Sequence, residues 1–428
     1  MQTPPRPARA RLILFASGDF AFNLYWQSIS LYLLFFYIDV LALPPVTAGL
    51  VFMAGTLWDA IADLTAGAVA ERTRIPYRRL IGWGAVPLGL AFVVMFALPT
   101  QAAGWILLAQ MLFRTLYAFT NIPYSAWTAR LSTAPAARTL LAGMRMMFGA
   151  AAAACVALGL PALAASYGYP AAAALMAAIG VPLLLIVVLK VPEQQRAILA
   201  AAPSSLAGQA WALLRNRAFV TLTIAVAAAG AAAALLGQSV PYYYRYVMAY
   251  PGGGPQALAA MGVASALVLP LWTLLATRVG ARSAWLAAAA LGLVGLAVFI
   301  WQPIDSVVTT LALLVAASIA FAGFNLAAWA LLPDTVDWGE AQGDVRVEAL
   351  AFGAFAFAQK IALAIAGLAI GAVYGASGFV AGAVQAPAVA ATIRWLMLGA
   401  PAVLIAISVL AMLAHPLRRH TLRELRPA

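Results

Sequence analysis

The chain has 428 residues, 65% of them hydrophobic and 9% charged, with a formal net charge of +12 and a mean hydropathy of +0.95. A soluble domain is near half apolar and about a quarter charged, so this composition excludes a chain whose whole surface faces water. One cysteine, Cys155, and two histidines near the C-terminal end, His415 and His420, exclude an intrachain disulfide, a thiolate metal site and a histidine relay across an apolar layer.

The first residues, Met1 to Arg11, are basic and lead into apolar sequence that runs to about Val40 and carries Asp19. That exceeds a cleavable signal segment, so it is expected to be retained as the first membrane helix. A helix needs about 20 apolar residues to cross a bilayer. On that measure twelve spans are expected, at 11–40, 44–70, 80–98, 102–131, 139–165, 169–190, 217–248, 256–277, 284–302, 305–333, 347–374 and 388–414. Basic residues fall in the gaps after even-numbered spans (Arg72, Arg74, Arg78, Arg79; Arg138; Lys190, Arg196, Arg215; Arg278, Arg282). More lie at the two ends (Arg6, Arg9, Arg11; Arg418, Arg419, Arg423, Arg426). Cationic loops stay cytoplasmic. This places both termini in the cytoplasm, agrees with an even number of spans, and accounts for the net charge without nucleic acid. The longest polar gap, 191–216, divides the chain into two six-helix bundles, residues 1–190 and 217–414, with a cytoplasmic tail at 415–428. The expected fold is an all-α polytopic membrane protein whose two halves follow the repeat architecture of many secondary transporters.

Six charged side chains are clear cases of charge at bilayer depth: Asp19, Asp59, Asp63, Arg114, Arg145 and Lys360. Each costs at least about 2.5–3.5 kcal/mol at the bilayer centre, and so calls for a partner or a water-filled cavity. Counting inward at about 1.5 Å per residue puts Asp63, Arg145 and Asp19 roughly 10–12 Å deep, Asn121 and Asp59 about 15 Å and Lys360 about 20 Å. They share a middle layer of a core about 30 Å thick. In span one, Asp19, Asn23, Trp26 and Ser30 are offset by four, seven and eleven and share a helical face. In span four, Arg114, Tyr117, Asn121 and Ser125 are spaced similarly, with Pro123 expected to kink the helix. A carboxylate, amides, hydroxyls and an aromatic plane suit a polyhydroxylated solute. The alternative for such residues, Ser30 and Ser125 above all, is hydrogen bonding between helices.

Asp59 and Asp63 are one turn apart, about 6 Å on one face. Two such carboxylates in a low dielectric resist joint ionisation unless a cation joins them, which is the physics of a coupling site. In the alternative, each aspartate pairs with an arginine or with Lys360. Gln238, Pro241, Tyr242, Tyr243, Tyr244 and Arg245, at the end of span seven, read as an interfacial aromatic belt or a gate. The acidic run Asp334, Asp337 and Glu340, after span ten, reads either as a cytoplasmic gate pairing with loop arginines or as solvated loop charge.

These residues resemble the glycoside–pentoside–hexuronide:cation symporter family (melibiose permease-like) of the major facilitator superfamily. The matching elements are Gly18-Asp19-Phe20, Phe36-Tyr37-Ile38-Asp39, Trp58-Asp59-Ala60-Ile61-Ala62-Asp63, Asn121-Ile122-Pro123-Tyr124-Ser125, Arg145, Pro333 through Glu340, and Lys360. The resemblance implies two six-helix bundles working by alternating access, and symport of a sugar or glycoside with a cation. It implies Asp59 and Asp63 as cation ligands, Asp19 and Arg145 on the solute with Trp26 and Tyr117 lining the same cavity, and Lys360 linking the halves. The sequence departs from the family in places. Asn121 stands where melibiose permease has an aspartate, which leaves Arg145 freer for an acid group, and Ser125 stands where it has a sugar-contacting tryptophan. Ala62 and Ala118 replace polar groups expected near the cation, Leu64 a proline, and Glu71 an aspartate. Two carboxylates alone make a poor sodium cage, which favours a proton.

The expected function is cation-coupled symport, by H+ or Na+, of a sugar, glycoside or sugar acid across the bacterial inner membrane, by a monomer without cofactor or structural metal. The alternatives keep the fold but carry an amphiphile such as a lysolipid, or export cargo against protons. An enzyme is not expected, because neither the spans nor the gaps hold a nucleophile–base pair or a phosphate-cradling loop.

Overall fold

Every regular element among the described residues is a helix, as lipid demands of a backbone it cannot hydrogen-bond. The computed structural model describes residues 9–72, 75–98, 101–131, 135–193, 206–301, 306–342 and 348–418. Arg6, Arg74, Arg196, His420, Arg419, Arg423 and Arg426 lie outside that description, as do the side chains of Glu71, Arg72 and Arg138. The chain divides into two compact units, Met1–Leu199 and Ala200–Ala428.

In the first unit, α1 (Arg9–Ala16) and α2 (Gly18–Ser28) are followed by two single π turns, Ile29–Leu33 and Phe36–Val40. Residues 11–40 were expected to form one helix and are instead segmented. Ser17 Oγ donates to the Leu14 carbonyl and Ser28 Oγ to the Leu24 carbonyl, both at 2.7 Å; such back-bonding bends helices, and a π turn takes one residue more than an α turn. The helical count from Asp19 therefore holds through Trp26 and ends at the turn containing Ser30. Next come α3 (Pro45–Arg72), α4 (Tyr77–Ala97), α5 (Ala103–Leu131) and α6 (Pro135–Lys190). The long α6 breaks at Gly168, whose φ of 82° and ψ of 159° are non-helical. Only glycine takes that conformation without strain, so α6 supplies the expected fifth and sixth spans. The core between α2, α4 and α5 is aromatic: Tyr25 lies 4.8 Å from Phe92, and Phe92 lies 5.8 Å from Phe113, between ring centroids.

The second unit runs through α7 (Leu206–Arg215), α8 (Arg217–Tyr242), a π turn (Tyr243–Val247), α9 (Gly253–Val279), α10 (Ala281–Trp301), α11 (Val307–Ala341), α12 (Glu348–Ser377) and α13 (Pro387–Leu413). Asn216 opens α8: its side chain accepts from the Phe219 amide at 3.0 Å and donates to the Thr335 carbonyl of α11 at 2.7 Å. Trp285 on α10 donates to Ser408 Oγ of α13 at 3.0 Å. The acidic run is a correction to the expected loop. Asp334, Asp337 and Glu340 lie on the last turns of α11, which passes through Pro333 and stops only at Ala341. Hydropathy ended the span at 333 because it senses lipid-facing character; the polar residues beyond still form helical hydrogen bonds.

Nine helices among the described residues are long and apolar enough to cross a membrane, one of them the 48-residue Gly143–Lys190. The segmented first span and α5 are the expected spans outside those nine. Polar residues, among them Gln110, Arg114, Thr115, Thr120 and Asn121, run along α5.

Beyond α13, His415 is 1% exposed. Its Nδ1 lies 2.9 Å from Thr221 Oγ1 on α8. Burial, then the nearby Arg282 guanidinium, lower its pKa from 6.5 to about 4. Because the unfolded chain takes up the proton first, the stability this residue confers is complete above about pH 6.5. It is lost as pH falls toward 4 and amounts to at most about 3 kcal/mol. Thermal melts of the purified protein should show a decline between pH 7 and pH 5 that flattens in His415→Gln.

Candidate solute and cation sites

The first unit contains two carboxylate–guanidinium pairs that differ in their access to water. In one, Arg145 of α6 forks onto Asp19 of α2, with Nε donating to Oδ2 at 2.5 Å and Nη2 to Oδ1 at 3.0 Å. Arg145 Nη1 donates to Thr128 Oγ1 of α5 at 2.7 Å. The Tyr124 hydroxyl, also from α5, lies 2.8 Å from Asp19 Oδ2 and 2.6 Å from the Phe15 carbonyl. Its ring packs 5.0 Å from the guanidinium carbon. A two-pronged contact with a planar guanidinium is the strong form of such a pair. The Arg145 and Asp19 side chains nevertheless remain 21% and 12% exposed.

The other pair is sealed. Arg114 Nη1 lies 3.3 Å from Asp59 Oδ2, and both side chains are 1% exposed. Arg114 Nη2 donates to Thr56 Oγ1 at 3.1 Å. With its amide oriented so that both ends are satisfied, Gln110, one turn earlier on α5, accepts through its oxygen from Arg114 Nη2 and Nε at 3.2 Å. Its amide nitrogen donates to the Val51 carbonyl and the Tyr37 hydroxyl, also at 3.2 Å. Gly55 makes this possible, since a Cβ there would come within 2.3 Å of the Gln110 side chain.

Tyr117 connects the two pairs. It lies within electrostatic reach of Asp19, Asp59, Asp63 and Arg114, and its ring stacks on Trp26 with centroids 6.0 Å apart. The structure thus brings together Asp19, Trp26, Asp59, Asp63, Arg114, Tyr117 and Arg145. Asn23 is half-buried beside them, its amide donating to the Asp19 carbonyl at 2.9 Å. Asn121 is half-buried one turn beyond Tyr117, and Ser125 is exposed. Asp63 is half-buried one turn from Asp59 on the same face of α3. Asp59 and Asp63 were expected either as two mutually repelling carboxylates or as each pairing with an arginine or Lys360; a guanidinium stands against Asp59.

Thr128, Thr56 and Gln110 were not singled out from the sequence, and Tyr124 only as part of the matching Asn121–Ser125 element. A signal existed in their spacing: Thr56 is three residues from Asp59, Gln110 four from Arg114, and Tyr124 three from Asn121. Such offsets place side chains on a common face.

In the second unit, Lys360 is half-buried on α12, next in sequence to Gln359. Gln359 lines a cavity of about 210 Å³ together with Trp285, Phe321, Phe324 and Asn325. Asp334 and Asp337 are half-buried and Glu340 is exposed.

A sequence family described as MFS/sugar transport protein matches residues 14–419. A glucuronide carrier protein homolog of Escherichia coli (strain K12) is 27% identical over 90% of this chain and 87% of its own. A candidate glycoside/cation symporter of the same organism is 28% identical over 91% of this chain and 88% of its own. Among solved structures, an inward-facing, unoccupied bacterial homolog of the human lysosomal transporter Spinster superimposes with a TM-score of 0.72 at 14% identity. It covers 99% of this chain and 100% of its own.

Removing one partner from a buried pair strands a charge at a cost of about 3–5 kcal/mol, whereas water compensates a pair it can reach. Arg114→Ala is therefore expected to lower the melting temperature far more than Arg145→Ala. Equal losses in a melt of the two purified variants would show that both pairs are sealed alike.

Proposed function

The chain belongs to the MFS/sugar transport protein family, a family of transporters with the major facilitator fold, and from that premise we propose that it is a cation-coupled symporter of a sugar, glycoside or sugar acid. The observation that carries this reading is the water-accessible Asp19–Arg145 pair beside the stacked rings of Trp26 and Tyr117. A sugar presents hydroxyls on its rim and C–H groups on its face; a carboxylate and a guanidinium match the first, an aromatic plane the second. Asn23 and Asn121 contribute amides on the neighbouring turns. Arg145 keeps a fixed positive charge suited to an acidic sugar. The similarity to a glucuronide carrier homolog and to a candidate glycoside/cation symporter supports both substrate classes.

In the proposed cycle, a cation, H+ or Na+, neutralises the Asp59/Asp63 region, solute then binds at Asp19 and Arg145, and the two bundles (residues 1–190 and 217–414) rock to expose the site inward. Ala62 and Ala118, which offer sodium no oxygen, favour the proton. Lys360 links the bundles by taking the cation's electrostatic place on the empty return step. Asp334, Asp337 and Glu340 act as the cytoplasmic gate. The chain works as a monomer with both termini in the cytoplasm.

Uptake into proteoliposomes tests the reading, using radiolabelled hexoses, pentosides and glucuronides under inward proton or sodium gradients. At least one solute should accumulate. Asp19→Asn and Arg145→Gln should each reduce that accumulation by at least about tenfold, equivalent to about 1.4 kcal/mol of lost binding. Asp63→Asn should abolish gradient-driven accumulation while sparing exchange. Intact accumulation in Asp59→Asn and Asp63→Asn alike would refute the coupling roles.

A further inference from the structure

Resting on the symport reading, we propose that Arg114 is a built-in cation occupying the position an alkali metal would take at Asp59, so that this transporter excludes sodium and lithium. The groups around the guanidinium are the Asp59 carboxylate at 3.3 Å, the Thr56 hydroxyl at 3.1 Å and the Gln110 amide oxygen at 3.2 Å. Together they form a set of hard oxygen donors from two helices, the kind that holds a hard metal cation. Here the set closes on an arginine instead. The site is built rather than incidental. Gln110 is itself tied to the Val51 carbonyl and the Tyr37 hydroxyl, and Gly55 is kept bare so that it can cross α3. Arg114 and Asp59 are each 1% exposed.

The charge is permanent, because a guanidinium does not give up its proton in proteins. A metal ion ligated by Asp59 would sit about 4 Å from it. At the effective dielectric of a protein site, that repulsion lowers the metal's affinity by about a thousandfold. Among the described residues, the titratable groups near this region include Asp63 on α3, Tyr117 on α5 and Tyr37 from the first span; none of these three supplies a second permanent positive charge.

The test needs no knowledge of the solute. The purified full-length chain is titrated with ²²Na⁺ and melted in sodium, lithium or choline chloride at equal ionic strength. Wild type is expected to bind no ²²Na⁺ and to melt at the same temperature in all three salts. Arg114→Ala, less stable in choline, should bind ²²Na⁺ and gain about 2–4 °C in sodium or lithium. The double variant Arg114→Ala/Asp59→Asn, which carries neither charge, should lose that gain. Sodium binding or stabilisation in wild type overturns the proposal without any variant having to fold, and leaves sodium symport standing. A folded Arg114→Ala that ignores both metals, or a double variant that still responds to them, also overturns it. If no solute in the uptake panel accumulates, the symport reading fails, while the sodium titration still reads the role of Arg114.

Discussion

A charge at the depth of a bilayer must be matched, and the first unit is organised around how it meets that requirement twice. Asp19 with Arg145 and Asp59 with Arg114 are chemically the same pair. What separates them is the packing of their neighbours. Tyr124 and Thr128 hold the first pair through their hydroxyls and leave it partly exposed. Gln110, Thr56 and the small residue at Gly55 fold the second pair into the contact of α3 with α5. Burial seals one pair and leaves the other partly exposed.

Tyr117 joins these two environments. It lies within electrostatic reach of the carboxylates of both pairs and stacks on Trp26 of α2. Proximity of this kind is what coupled binding needs, since one site can influence another only through a group that senses both. Segmentation of the first span by π turns, just beyond Trp26, puts irregular backbone next to the Asp19–Arg145 pair and the Trp26 ring.

The helical architecture was legible because lipid punishes any other backbone, and a run of apolar residues records that pressure directly. Asp19, Asp59, Arg114 and Arg145 were legible for the same reason: their insertion cost marks them. Their pairing was not. Six charges on five spans allow many partnerships, and sequence spacing fixes the faces of a helix without fixing which face meets which. Gln110 and Thr128 carry no charge and so raised no flag, although they hold the two guanidiniums in place. The end of α11 was misread for a related reason, since hydropathy falls at Pro333 while the helix continues through Asp334 and Asp337.

That continuation makes the acidic end of α11 part of a single rod. Its 35 residues span about 52 Å at 1.5 Å per residue. A rod of that length magnifies small rotations: pivoting about 10° at its centre sweeps each tip by roughly 4–5 Å, close to a full helical pitch. Charges strung on a slack connection would drift independently of the membrane-embedded part. Fixed to a stiff arm, the two aspartates instead register the inclination of the helix that bears them. Asn216, which clasps the Thr335 carbonyl from the start of α8, acts as the bearing against which that arm can turn.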